Sequence, residues 1–95
     1  MKIETDGVTE GTIEDFTKGH NLDILVVKNS RDQLFYSEFR GGDIKRGKWE
    51  ITVYEKGHTP EEAIKDYAIQ ISQETLVLSA AYPDYRKEIK VWRLV

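Results

Sequence analysis

The stretch Gly57-His58-Thr59-Pro60-Glu61-Glu62-Ala63 constrains this chain more than any other. Thr59 is a cap residue whose hydroxyl suits the orphan amides of a helix start. Pro60 follows at the first helical position, where its missing amide costs nothing. Glu62 stands three residues after Thr59 and completes a capping box. Ile64, Tyr67, Ala68 and Ile71 then recur at the spacing of one buried face. The spacing predicts one main helix from about Pro60 to Gln73.

Strand patterns flank that helix. Leu22 to Val27 is apolar on both faces, which predicts a central strand. After the turn cluster Asn29-Ser30-Arg31-Asp32, Leu34 to Arg40 alternates Phe35, Ser37 and Phe39 against Leu34, Tyr36 and Glu38. Gly41-Gly42-Asp43 breaks it. Lys48 to Glu55 alternates Trp49, Ile51 and Val53, expected inward, with Glu50, Thr52 and Tyr54 on a wet face. Thr75 to Ala80 and Glu88 to Leu94 give two further strands, joined by a loop through Tyr82-Pro83-Asp84-Tyr85. Thr12, Ile13 and Phe16 mark a short helix of about two turns, which Gly19 is placed to end. The expected fold is α+β, in the order α-β-β-β-α-β-β. An antiparallel sheet of about five strands is covered on one face by the main helix. Residues 1–11 read as an acidic N-terminal arm, a loose segment or an edge strand, and residues 12–95 as a single domain.

Ninety-five residues suffice for one domain and not for two. With no cysteine, disulfides and thiolate metal sites are excluded. No apolar leader follows Met1-Lys2 and no run approaches a membrane span, so a cytoplasmic protein without membrane contact is expected. The net charge is −3, with −4 carried by residues 1–15, +2 by 16–58 and −1 by 59–95. That body is too weakly basic for a nucleic-acid binder.

The order of elements over residues 12–73 resembles the double-stranded-RNA-binding fold. Those domains meet phosphates through a lysine-rich helix start, where Glu61 and Glu62 stand here. The resemblance implies topology and not RNA binding. Gly57-x-Thr59-x-Glu61-Glu62-Ala63 also resembles the strand-to-helix junction of HicB-type antitoxins. A third resemblance covers residues 12–94 and is to small uncharacterised proteins of bacteriophages and prophages. It is carried by Asp15-Phe16, His20-Asn21-Leu22, Phe35 to Phe39, Gly57 to Ile64, Tyr67-Ala68, Ile71, Leu76-Val77, Arg86 to Ile89 and Val91. Ser72-Gln73 departs from its common Ser-Gly, and Trp92 from its common proline. That resemblance implies a non-enzymatic accessory protein, acting in the bacterial cytoplasm, that binds and blocks a host protein such as a defence effector.

Nothing in the sequence assembles a catalytic centre. His20 and His58 read as solvated loop residues, with no spacing that brings two metal ligands to one face. Glu61 and Glu62 serve the helix start. No serine sits in a nucleophile elbow, and no phosphate loop surrounds Gly41-Gly42. The chain is therefore expected to be no enzyme and to need no cofactor or metal. Two surfaces are candidates for binding. Tyr82, Tyr85, Arg86 and Trp92 combine the residue types that anchor protein interfaces, or else their aromatics close the sheet edge as a small core. Arg40, Arg46 and Lys48 frame a glycine-rich hairpin tip that is either a solvated turn or a seat for an anion such as a cyclic nucleotide. The first implies a partner-blocking protein. The second implies a nucleotide sponge, a reading that a homodimer with a pocket at its interface would favour. An antitoxin is the third possibility.

Overall fold

The computed structural model describes residues 10–95. The fold is α+β, with two helices among antiparallel strands. Helix α1 spans Ile13–Gly19, and the Thr12 hydroxyl accepts from the Asp15 amide at 3.1 Å. Ile13 and Phe16 point inward. Gly19 does not end the helix in a left-handed conformation. His20 is the C-cap and Asn21 turns the chain with φ 55°, which Asn tolerates better than most residues with a Cβ.

Helix α2 spans Pro60–Ile71, two residues short of the expected end. Thr59 Oγ1 accepts from the Glu62 amide at 3.1 Å. The Glu62 carboxylate reaches back to the His58 amide at 2.9 Å, one residue before the cap. Gln73, with φ 65°, turns the chain out of the helix. Ala63, Tyr67, Ala68 and Ile71 are buried. Tyr67 crosses to the sheet, where its hydroxyl accepts from the Phe39 amide at 3.1 Å and its ring meets Phe39 edge-on. Burial pushes the Tyr67 phenol up to about 12.

In chain order the strands are β1 (Glu10–Gly11), β2 (Ile24–Lys28), β3 (Phe35–Phe39), β4 (Gly42–Arg46), β5 (Trp49–Ile51), β6 (Glu55–Gly57), β7 (Thr75–Leu78), β8 (Lys87–Lys90) and β9 (Arg93–Leu94). They do not form the single five-stranded sheet that the alternation suggests. One antiparallel sheet has the order β2-β3-β6, a second β5-β4-β7-β8, and β1 lies parallel to β9. The expected N-terminal arm thus contributes β1, and residues 1–9 lie outside the described residues.

The division comes from two bent strand lines. β3 and β4 form one, β5 and β6 the other. Between the pairs Ile44↔Ile51 and Ser37↔Glu55 the first line runs seven residues and the second four. The surplus makes a bend at Arg40-Gly41, where Gly41 holds φ 66°. Beyond the bend β4 exchanges β2 for β7 as its neighbour.

Two expectations fail for this reason. β2 is an edge strand and not a central one, and Val27 is 60% exposed. Trp49 and Ile51 do not reach the core, although Ile51 pairs with the buried Ile44. α2 lies against β6 and β3, so the tip of the β4–β5 hairpin stays uncovered and Trp49 is 70% exposed. Val53, in the connection to β6, is buried as expected. The core comprises Ile13, Phe16, Phe39, Ile44, Val53, Tyr67, Ala68, Ile71, Leu76, Ile89 and Val91.

Candidate interaction surface

The loop from Ser79 to Arg86 leaves β7 through a left-handed residue, Ser79, with φ 55°. Two turns follow. The Tyr82 amide donates to the Ser79 carbonyl at 3.0 Å, and the Tyr85 amide to the Tyr82 carbonyl at 2.8 Å. Pro83 lies between the tyrosines and removes a backbone rotor. Tyr82 and Tyr85 therefore stand at one loop tip, 65% and 76% exposed.

Arg86 pins the end of this loop to the second sheet. Its guanidinium donates to Glu88 at 2.7 Å and to both oxygens of Glu50 on β5, one of them at 3.0 Å. Lys45 on β4 adds a contact to Glu88 at 3.4 Å. The register puts Lys45 opposite Glu50, and Val77 opposite both Asp43 and Glu88, on one outer face. Val77 is fully buried on that face. The guanidinium holds the Glu50 and Glu88 carboxyls below the usual carboxylate range, and the two acids push Arg86 further up. Arg86 is thus a tie within the fold, not a free donor beside the tyrosines.

Trp92 is likewise engaged within the fold. It is half-buried against the core, its indole edge-on to Phe16 at 5.0 Å. His20 packs on the same ring of Phe16 at 4.6 Å, so it is not the solvated loop residue expected. Trp92 Nε1 and His20 Nε2 are buried with no hydrogen-bond partner among the described residues. Desolvation, and then the charge of Lys87, lower the His20 pKa from its ordinary value. His58 is exposed.

The three cations of the hairpin do not converge. Arg46 pairs with Glu74 at 3.7 Å, and Lys48 lies in the turn between β4 and β5. Arg40 sits at the other end of β4, 3.7 Å from Asp23.

A further aromatic cluster was not singled out in the sequence. On the outer face of the first sheet the Tyr36 and Tyr54 rings lie 5.5 Å apart. Lys56 stands over Tyr36 at 6.0 Å, and the Tyr36 hydroxyl donates to Asp32. The signal was the alternation itself, which sets Tyr36 opposite the Phe35-Ser37-Phe39 face and puts Tyr54 on a wet face.

Among the described residues no group of three or more His, Cys, Asp or Glu could hold a metal ion, and no helix is long and apolar enough to cross a membrane. No family model, curated protein or solved structure matches the chain.

Proposed function

We propose that this chain is a non-enzymatic binding protein that engages another protein through Tyr82 and Tyr85. The observation that carries the reading is the pairing of these two exposed tyrosines on a short loop fixed at its base by Arg86. Tyrosine offers large contact area with few rotors to freeze, and a loop already ordered loses less entropy on docking. The partner is a bacterial host protein, blocked by occupation, as the phage-protein resemblance of the sequence implies. A defence effector is the narrower form of that proposal.

The test is capture from bacterial lysate by the immobilised chain, run beside Tyr82→Ala/Tyr85→Ala and Trp49→Ala variants. A protein retained by wild type and by Trp49→Ala, and lost with the double variant, supports the reading. Equal capture by all three removes it.

A further inference from the structure

β2 and β7 flank the same bent strand line, one on each half. β2 pairs as far as Ile24↔Phe39, and the β4–β7 ladder starts at Gly42↔Leu78, the last residue of β7. Arg40 and Gly41 lie between the two ladders, and a crevice of about 320 Å³ opens there. It is shallow and open to solvent, with room for a small ligand held mainly at one side.

Three chain segments make its walls. Asn21, Leu22 and Asp23 come from the turn before β2, Arg40 and Gly41 from the bend, and Leu78 and Ser79 from the end of β7. Backbone bonds hold the segments together: the Arg40 amide donates to the Asp23 carbonyl at 2.9 Å, and the Ser79 amide to the Gly41 carbonyl at 3.3 Å. Asn21 and Ser79 are two of the four non-glycine residues with left-handed φ among the described residues. Such conformations cost free energy and concentrate at functional sites.

The charges select the ligand. Arg40 Nε and Asp23 Oδ2 stand 3.7 Å apart, both well exposed. A close charge-assisted bond spans about 2.7–2.9 Å, so donors and acceptors remain free on both. A simple anion at Arg40 meets the repulsion of Asp23, and a simple cation at Asp23 meets that of Arg40. A ligand with both charges on neighbouring atoms satisfies both. We propose that this crevice binds a small zwitterion of the α-amino-acid class. Its carboxylate takes the Arg40 fork and its ammonium takes Asp23. The Asn21 side chain and the Ser79 hydroxyl supply further polar contacts, and its side chain lies along Leu22 and Leu78. Ser79 also opens the loop that carries the tyrosines, but neither Tyr82 nor Tyr85 lines the crevice, and the proposal does not rest on the tyrosine reading.

The experiment titrates the intact, isotope-labelled chain with L-leucine, and follows backbone amides by NMR. L-Leucinamide, which lacks the carboxylate, and N-acetyl-L-leucine, which lacks the ammonium, are titrated beside it. Saturable shifts are expected at Asn21, Asp23, Gly41 and Ser79 with a millimolar or tighter Kd, weakened about tenfold or more for each blocked compound. Arg40→Gln and Asp23→Asn should each abolish saturation while distant amides keep their positions, and Tyr85→Ala should change nothing. An absence of saturable shifts with L-leucine overturns the proposal. So does equal binding of N-acetyl-L-leucine, which would make this a plain anion site.

Discussion

Replacing Trp92 separates two roles that the sequence left open for it. The indole packs edge-on to Phe16 at 5.0 Å and covers the core beside His20. Truncation of a buried aromatic to alanine costs about 3–5 kcal/mol. Trp92 is half-buried, so Trp92→Ala belongs at the low end, about 3 kcal/mol. Its Nε1–H is buried without a partner among the described residues, and an unmade hydrogen bond of that kind costs about 1–3 kcal/mol. Both variants shed that orphan donor, a second reason for the low alanine figure, but Trp92→Phe also keeps most of the ring contact with Phe16. In the phenylalanine variant the shed donor opposes the lost part of the ring, so it should stay within about 1 kcal/mol of wild type. Urea denaturation followed by far-ultraviolet circular dichroism reads both. With a slope of about 1–3 kcal/mol per molar urea, the alanine variant should lose about 1 M or more at the midpoint. A loss under about 1 kcal/mol for Trp92→Ala refutes the core assignment. A phenylalanine variant as unstable as the alanine one refutes the ring-contact reasoning.

Thr59→Ala removes the cap on the Glu62 amide and should cost about 1 kcal/mol, seen as a lower denaturation midpoint. Gly57→Ala sets a Cβ 2.8 Å from the Ala63 nitrogen and 2.9 Å from Glu62 Cβ. It should destabilise by about 1–3 kcal/mol on the same assay, because a helix start must move off β6 to admit it. The pKa of His20 is lowered from its ordinary value of 6.5 by burial, with Lys87 second. The unfolded chain therefore takes up this proton first. Stability should be full above about 6.5 and fall as pH drops through that value, and His20→Leu should flatten this limb in denaturation curves taken from pH 7.5 to 5.

Both helix starts were legible in the sequence because their chemistry is local. Thr12 and Thr59 each lie three residues from the amide they cap. The ends were less so, since Gly19 stayed in the helix while Asn21 and Gln73 took the left-handed turns. Strand alternation was readable within each strand, but the division into two sheets was not. Which strand becomes an edge depends on the bend at Arg40-Gly41 and on the exchange of β2 for β7, neither of which leaves a periodic mark. Trp49 shows the consequence, inward by pattern and exposed in space. The candidate patch was legible in half. Tyr82 and Tyr85 are set by turns within four residues. Arg86 is held by Glu50, 36 residues away, and Trp92 by Phe16 on another element.

The most direct measurement is the affinity of the captured partner for purified wild type and for Tyr82→Ala, Tyr85→Ala and Trp49→Ala, with denaturation midpoints on the same samples. If the tyrosine tip is the interface, Tyr85→Ala should weaken binding by about 2 kcal/mol, roughly thirtyfold, with an unchanged midpoint, as expected for a central aromatic anchor. Trp49→Ala should leave the affinity unchanged. Full affinity in both tyrosine variants while they remain folded contradicts the account, and loss in Trp49→Ala alone moves the interface to the β4–β5 hairpin.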